Sequence, residues 1–246
     1  DSGIMITGSH NPPDYNGFKM LLKNKSIFGK DILDLAKISS RGDFCGNKRG
    51  KVNKISMINK YLFFLINLAK VKKNIKVAWD PGNGSSGEII SRLTKKLNGK
   101  HYLINEKIDG NFPAHHPDPT VPKNLKQLIN LVKKKKCDFG LAFDGDGDRL
   151  GVVDNKGKII YADKVVAFLA KDVLLEKPNS KIIIDIKSSQ IVFNEIKKLK
   201  GKPFFWKTGH SLIKEKMKET KAIFAGEMSG HIFFADKYYG FDDAIY

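Results

Sequence analysis

The feature that most constrains this chain is an alternation. Short apolar runs that read as strands take turns with longer runs of helical period along most of its length. The first round opens with the helix ISMINKYLFFLINLAK. It continues with a strand at IKVAWD (75–80), a helix at GEIISRLTKKL (87–97) and a strand at HYLINE (101–106). A proline-rich irregular segment at 109–122 leads to the helix NLKQLINLVKKK and the strand DFGLAFD (138–144). The second round runs through the helix YADKVVAFLAKDVLLE, the strand KIIIDI, the helix QIVFNEIKKLK and the strand KPFFWKT. The helix SLIKEKMKE and the strand KAIFAGE complete it. Strands alternating with helices call for a parallel sheet with helices against its faces. The expected class is therefore α/β, with repeated α/β domains and mixed, largely parallel sheets. Two similar domains follow the tail of a first, whose Gly3–Thr7 run reads as a short buried strand. The segment SSRGDFCGNKRGKVN (39–53) reads as an exposed connection. Ligands of such sheets gather at the carboxyl ends of the strands. That directs attention to the loops after Thr7, Phe143, Ile186, Thr208 and Ala225.

Composition narrows the partners. With 246 residues and 41% hydrophobic content the chain can bury a core. YLFFLINLA is too short to span a bilayer, and no signal-peptide pattern is present. A cytoplasmic protein without a membrane partner is expected. Cys45 and Cys137 are far apart and fit free thiols in a reducing compartment. The net charge of +18 raises the alternative of nucleic-acid binding, but it is carried by 40 Lys and only 4 Arg. Base and phosphate readers lean on arginine forks. The lysines are also scattered, apart from KKKK at 133–136, so they read as a solvated surface that could steer an anionic substrate. The chain begins inside a strand, and GFDDAIY at its end reads as the opening of a helix. An internal fragment of a longer protein is expected.

The strongest chemical signal is FDGDGDRLG (143–151). Asp144, Asp146 and Asp148 alternate with glycines that let the backbone curl until the carboxylates converge. Three such carboxylates repel one another, and a hard cation such as Mg²⁺ or Ca²⁺ is the natural compensation. A calcium EF-hand fails, because its sixth and twelfth positions would be Arg149 and Asn155 rather than Gly and Glu. Ser9 lies in TGSHNP, a Gly-Pro-punctuated loop after an apolar run, where a hydroxyl is either a turn residue or a phosphate carrier. A phosphate on Ser9 would offer the cation an oxygen. Arg149 could then grip phosphate or substrate.

Other motifs are weighed beside these. GNGSSG (82–87) matches the dinucleotide fingerprint G-x-G-x-x-G, with Glu106 about 20 residues on, and raises the alternative of a nicotinamide-dependent dehydrogenase. Asp80-Pro81 intervenes, and a tight strand-to-helix turn is favoured. His115-His116 lacks helical metal spacing and reads as structural. WKTGH (206–210) and GEMSGH (226–231) each end a strand with a polar cluster. Glu227 and Ser229 suit vicinal sugar hydroxyls. His210 and His231 can titrate near neutrality.

These motifs together resemble the α-D-phosphohexomutases over nearly the whole chain. TGSHNP is similar to that family's phosphoserine loop, DGDGDR to its magnesium loop and GEMSGH to its sugar-binding loop. NFPAHHPDP, WKTGHSLIK and the Met of GEMSGH resemble the bacterial phosphomannomutase/phosphoglucomutase branch; phosphoglucosamine mutase is the in-class alternative. The resemblance implies four domains around a cleft. It divides this chain into the end of domain 1 with the phosphoserine loop (1–54), domain 2 with the metal loop (55–158) and an incomplete domain 3 with the sugar loop (159–246), domain 4 being absent. It implies that phosphorylated Ser9 exchanges its phosphoryl group with hexose phosphate substrates through glucose or mannose 1,6-bisphosphate. Mg²⁺ would be held by Asp144, Asp146, Asp148 and the group on Ser9. Lys19 and His231 become candidates for proton transfer, and His10 for ordering the phosphoserine loop. Arg149, Lys187, Gly209, His210, Glu227 and Ser229 become candidates for substrate binding. A monomer is expected, and a fragment of this kind is expected to be inactive alone. A catalytically dead sugar-phosphate binder is the remaining alternative.

Overall fold

The computed structural model describes residues 2–23, 25–42, 44, 46, 50–69 and 74–246. Three sheets succeed one another along the chain. The first is antiparallel, with β1 (Ser2–Ile6), β2 (Phe18–Leu22) and β3 (Lys25–Ile27) in sequence order, followed by helix α1 (Lys30–Arg41). The expected strand near Gly3–Thr7 is thus present, but it is not buried: Ile4, Met5 and Ile6 are all exposed. Among the described residues this sheet and α1 contribute no buried hydrophobic residue. An apolar run records preference for a covered face, not whether the cover is in hand.

The second sheet has the order β5-β4-β6-β7-β8, from β4 (Lys76–Asp80), β5 (Lys100–Leu103), β6 (Phe139–Phe143), β7 (Leu150–Asp154) and β8 (Ile159–Ile160). β4 pairs in parallel with β5 and β6, and the β7 and β8 edge is antiparallel. Period-two alternation divides the core. Ala78 packs with Leu128 and Val132 of α4 (Lys126–Lys135), while Val77 and Trp79 pack with Ile90 of α3 (Gly87–Thr94). α2 (Ile58–Leu68) lays Leu65 against Ile89 and Leu93 of α3.

The third sheet repeats the plan in the order β10-β9-β11-β12, from β9 (Lys181–Asp185), β10 (Lys202–Trp206), β11 (Phe224–Gly226) and β12 (Ile232–Phe234). β9 is buried from Ile182 to Asp185, as a central parallel strand covered on both faces must be. Ile182 and Ile184 face α5 (Ala162–Glu176) and α6 (Gln190–Lys198), while Ile183 faces Ile213 and Met217 of α7 (His210–Thr220). Both α/β sheets are mixed, each with parallel central strands, one parallel edge and one antiparallel edge. No helix forms at 240–246. Phe233 bridges Asp242 instead, and Asp243 accepts hydrogen bonds from the Ile245 and Tyr246 N–H groups, the bonding pattern of a helix N-cap. Cys137 is a buried free thiol; Cys45 lies outside the described residues, as do Asp1 and part of the 39–53 connection. No helix among the described residues is long and apolar enough to cross a membrane.

Candidate active site

The acidic loop leaves β6 at its carboxyl end, where the backbone turns back into β7. Asp144 is fully buried, and its Oδ1 accepts the Asp148 and Arg149 N–H groups at 3.0 and 3.1 Å. The GNGSSG loop supports this turn from below. Ser85 N–H donates to the Gly145 carbonyl at 2.9 Å, and a Cβ on Gly84 would stand 2.7 Å from that oxygen. The glycine spacing that imitates a nucleotide fingerprint here serves the close approach of two backbones. The Asp80 that precedes it is buried and accepts from the Gly82 N–H, Asn105 and His115, so His115 is a structural partner, as the sequence suggests.

Ser9 lies over the acidic loop. A Cβ on Gly145 would come within 1.9 Å of the Ser9 carbonyl oxygen, so only glycine admits this contact. Ser9 itself has φ 52°, the left-handed region that a β-substituted residue adopts only under constraint. The constraint is visible: Ser9 N–H donates to Thr7 Oγ1 at 2.9 Å, and Thr7 Oγ1 donates to Asp146 Oδ2 at 2.8 Å. Ser9 Oγ then lies 3.2 Å from Asp144 Oδ2, across 135 residues of sequence, and 3.1 Å from His10 Nδ1. Burial and the Arg149 charge hold the His10 pKa below its ordinary value.

Three aspartates, Asp144, Asp146 and Asp148, bring ligand oxygens within 4.8 Å of one another. Burial, and then repulsion from Asp148 and Asp146, pushes the Asp144 carboxyl up to about 8. Lys19 reaches in from β2, with Nζ 2.9 Å from Asp146 Oδ2 and 2.7 Å from Asp148 Oδ2. Burial alone would lower the Lys19 pKa, but the two carboxylates outweigh it and hold the ammonium well above the usual lysine range. Burial likewise opposes ionisation of Asp146, yet Lys19 and Thr7 keep its pKa low. The remaining oxygens, Asp146 Oδ1 and Asp148 Oδ1, are buried without a hydrogen-bond partner. Orphaned carboxylate oxygens beside a hydroxyl are the donor set of a hard divalent cation such as Mg²⁺, so the residues fit one.

The GEMSGH loop joins β11 to β12. Glu227 is 2% exposed; its Oε1 accepts the Gly209 N–H at 2.6 Å and its Oε2 accepts the Ser229 hydroxyl at 3.0 Å. One carboxylate thereby ties two loops together. The acidic and GEMSGH loops also meet: Arg149 bridges His231 in antiparallel fashion, and Leu150 N–H donates to the Gly230 carbonyl at 3.0 Å. Arg149 Nε–H donates to His231 Nε2 at 3.2 Å, so the neutral ring carries its proton on Nδ1. That nitrogen faces Asp242 Oδ2 at 3.0 Å and Asp148 Oδ1 at 3.5 Å, close enough for ion pairing though outside hydrogen-bond geometry. The same tautomer argues against a metal on Asp148, His231 and Asp242, whose ligand atoms also cluster. Burial opposes the charged ring, but Asp242 and Asp148 together raise the His231 pKa. His210 stacks on His231 at 5.6 Å. Its pKa falls to about 4 through burial, with Lys214 adding to the effect and Asp242 opposing it. Lys187 stands exposed on the turn after β9, with no ion pair or hydrogen bond to the cluster.

Family models for the phosphoglucomutase/phosphomannomutase alpha/beta/alpha domains match three stretches of this chain: domain I at 1–42, domain II at 57–157 and domain III at 161–246. The chain belongs to the phosphoglucomutase/phosphomannomutase family. A phosphomannomutase/phosphoglucomutase of Pseudomonas aeruginosa is 46% identical over 245 residues, which is 100% of this chain and 53% of that protein. A phosphoglucomutase of Neisseria gonorrhoeae is also 46% identical, over 100% of this chain and 54% of its own length. The crystal structure of a phosphoglucomutase/phosphomannomutase family protein from Burkholderia thailandensis superimposes with a TM-score of 0.96 at 44% identity, covering 100% of this chain and 53% of that one. The chain thus spans about half the length of the curated relatives it matches. Membership leaves the GNGSSG loop its structural part and removes the dehydrogenase reading.

Thr7, Lys214 and Asp242 are components of this cluster that the sequence did not single out. Lys214 Nζ lies 3.0 Å from Asp242 Oδ1 and 3.2 Å from His210 Nδ1. Asp242 is 32 residues from His210 and sits in a stretch that reads as an ordinary helix start, so only the fold reveals the partnership. Deeper in the same unit Asp185, fully buried at the end of β9, accepts the Ser188 hydroxyl at 2.6 Å and the Thr208 hydroxyl at 3.2 Å. It anchors the loops that carry Lys187 and His210.

Proposed function

We propose that the whole protein interconverts hexose 6-phosphates and hexose 1-phosphates through a phosphoserine at Ser9 and a hexose 1,6-bisphosphate. The carrying observation is the 3.2 Å approach of Ser9 Oγ to Asp144 Oδ2, which brings a hydroxyl from the first unit onto a carboxylate cluster of the second. Asp144, Asp146, Asp148 and the phosphoryl oxygens on Ser9 would hold Mg²⁺, which when bound neutralises charge on the group in flight. We assign 1–54, 55–158 and 159–246 as three domains lining one cleft.

In the transfer, a sugar hydroxyl oxygen forms a bond to phosphorus as the Ser9 oxygen–phosphorus bond breaks. His231 would take the hydroxyl proton on Nε2 once the Arg149 Nε–H turns from that nitrogen to phosphate, with Asp242 and Asp148 stabilising the resulting imidazolium. Lys19, held charged, is suited to phosphoryl charge rather than to accepting a proton. Glu227 and Ser229 would recognise sugar hydroxyls, with Gly209 holding Glu227 in place. Arg149, Lys187 and His210 would hold phosphate or sugar oxygens, and His10 would order the Ser9 loop. The substrate's reorientation between two transfers needs both orientations to present similar hydroxyls to Glu227 and Ser229.

Intact mass measured after incubation with glucose 1,6-bisphosphate is the test. One phosphoryl group added to the parent and none to Ser9→Ala is expected, with turnover lost in the variant. Equal phosphorylation of both proteins, or wild-type turnover in Ser9→Ala, would refute the relay. Comparing turnover of mannose 6-phosphate with glucosamine 6-phosphate separates this assignment from phosphoglucosamine mutase.

A further inference from the structure

The carboxylate cluster already holds a cation of the protein's own. Lys19 Nζ is shared between Asp146 Oδ2 and Asp148 Oδ2 at 2.9 and 2.7 Å. It comes from β2, where it pairs with Met5 in a sheet that contributes nothing to the buried core, while both carboxylates belong to the second unit. Arg149 supplies a second positive group, with Nε 3.8 Å from Asp144 Oδ2. Three carboxyl groups therefore face two cationic side chains before any ion arrives.

We propose that Lys19 is a built-in counter-cation that weakens divalent-ion binding at the acidic loop, so that tight binding requires the negative charge of the phosphoryl group on Ser9. This inference rests on the metal reading above and concerns its regulation. The physical argument is a balance of charge. An ammonium on two of the three carboxylates repels a divalent ion bound through the same groups. It also occupies one oxygen of each, leaving the ion Asp146 Oδ1 and Asp148 Oδ1, the buried oxygens without partners. A phosphoryl group on Ser9 adds nearly two negative charges beside Asp144 and more than offsets the ammonium. The dephosphorylated site would then hold its ion loosely, and the phosphorylated site firmly. Lys19 keeps 36% of its side chain exposed, so solvent reaches it without passing through the buried carboxylates.

An orienting role for Lys19 predicts the opposite sign. Groups that fix ligand orientation typically cost about 10–100-fold in metal affinity when removed. A competing cation, once removed, leaves the ion bound on the order of tenfold more tightly. The experiment measures Mn²⁺ binding to the whole dephosphorylated protein by electron paramagnetic resonance, for the parent, Lys19→Met, Lys19→Gln and Lys19→Arg. Both neutral variants are expected to bind Mn²⁺ about tenfold more tightly, and Lys19→Arg to stay near the parent. Phosphorylating Ser9 is expected to tighten binding in the parent and to narrow its gap from the neutral variants. Two neutral replacements guard against one that fails to fold, and a thermal melt of each shows whether it has folded. Mn²⁺ bound by the parent and bound equally or more weakly by both neutral variants would overturn the inference alone. Absence of Mn²⁺ binding in every protein would overturn the metal reading with it.

Discussion

The acidic loop and the GEMSGH loop occupy the same place in two copies of one plan. Each leaves the carboxyl end of a parallel strand, β6 or β11, and returns as an antiparallel neighbour, β7 or β12. Each carries a buried carboxylate in its first turn, Asp144 or Glu227. What differs is satisfaction. Glu227 spends both oxygens on protein donors, the Gly209 N–H and the Ser229 hydroxyl. The acidic loop instead keeps Asp146 Oδ1 and Asp148 Oδ1 buried and unpartnered, and burial, then repulsion from Asp148 and Asp146, pushes the Asp144 carboxyl up to about 8. A satisfied carboxylate positions neutral groups, whereas an unsatisfied cluster suits an ion. On the proposed function, the pairing of its oxygens gives one scaffold two chemistries.

The sharpest way to break this contrast is to neutralise one member of each loop. Asp148→Asn is expected to lower turnover in the whole protein by about a hundredfold or more, and to move the Mg²⁺ requirement to higher concentration. Glu227→Gln keeps the shape and loses charge. It is expected to raise KM for both hexose phosphates by about tenfold, with the Mg²⁺ dependence unchanged. Steady-state rates over a Mg²⁺ series decide the matter. A shift of Mg²⁺ dependence in Glu227→Gln equal to that in Asp148→Asn would erase the distinction.

The contrast also shows what a sequence can disclose. The α/β alternation was legible because β4, β9 and α3 carry their periodicity in consecutive residues. The acidic loop was legible for the same reason: its three aspartates lie within five residues of one another. Strands β2, β3, β7, β8 and β12 and helix α1 passed unread. Several are short edge strands whose pairing comes from a neighbour rather than from their own pattern. Asp242 was legible only as a helix opening, because its role depends on Lys214, His210 and His231 converging from elsewhere in the chain. The Gly3–Thr7 run reads as buried because apolar residues report a tendency, while Ile4, Met5 and Ile6 stand exposed in a chain that spans about half the length of its relatives. Glycine in GNGSSG was ambiguous for a related reason: close approach to a pyrophosphate and close approach to Gly145 demand the same missing side chain.

A smaller effect follows from the strain of the carboxylates themselves. In the absence of divalent ion, the folded protein keeps a proton on Asp144 up to about pH 8, while the unfolded chain releases it in the ordinary carboxylate range. The folded state therefore binds more protons across that window, and its stability falls as pH rises through it, levelling off above about 8. A bound divalent ion favours the ionised carboxylate, so it should flatten the fall and release a proton on binding below that pH. Thermal melts from pH 5 to 9, in chelator and in Mg²⁺, test this about once per pH unit. His210 contributes a rise below about pH 6.5, so the comparison is with Asp144→Asn: a metal-free profile with the same slope in parent and variant would show that Asp144 is not the strained member of the loop.

The mildest test lies behind the GEMSGH side, at Asp185. This carboxylate also ends a parallel strand and is fully buried, yet Ser188 and Thr208 satisfy it, which makes it a relative of Glu227 rather than of Asp144. Thr208→Val removes one hydroxyl without changing the volume greatly. A lost hydrogen bond to a buried charged group costs roughly 1.5–3 kcal/mol, moderated here because Ser188 remains at 2.6 Å. The melting temperature should fall by a few degrees, and KM should rise slightly because Thr208 precedes Gly209 and His210 in the loop that meets Glu227. Mn²⁺ affinity should not move, since no member of the acidic loop shares a hydrogen bond with Asp185. If it does move, the acidic loop and the GEMSGH side are coupled through the third sheet. The two loops would then be two ends of one device, and the Arg149–His231 bridge would be the first contact to dissect.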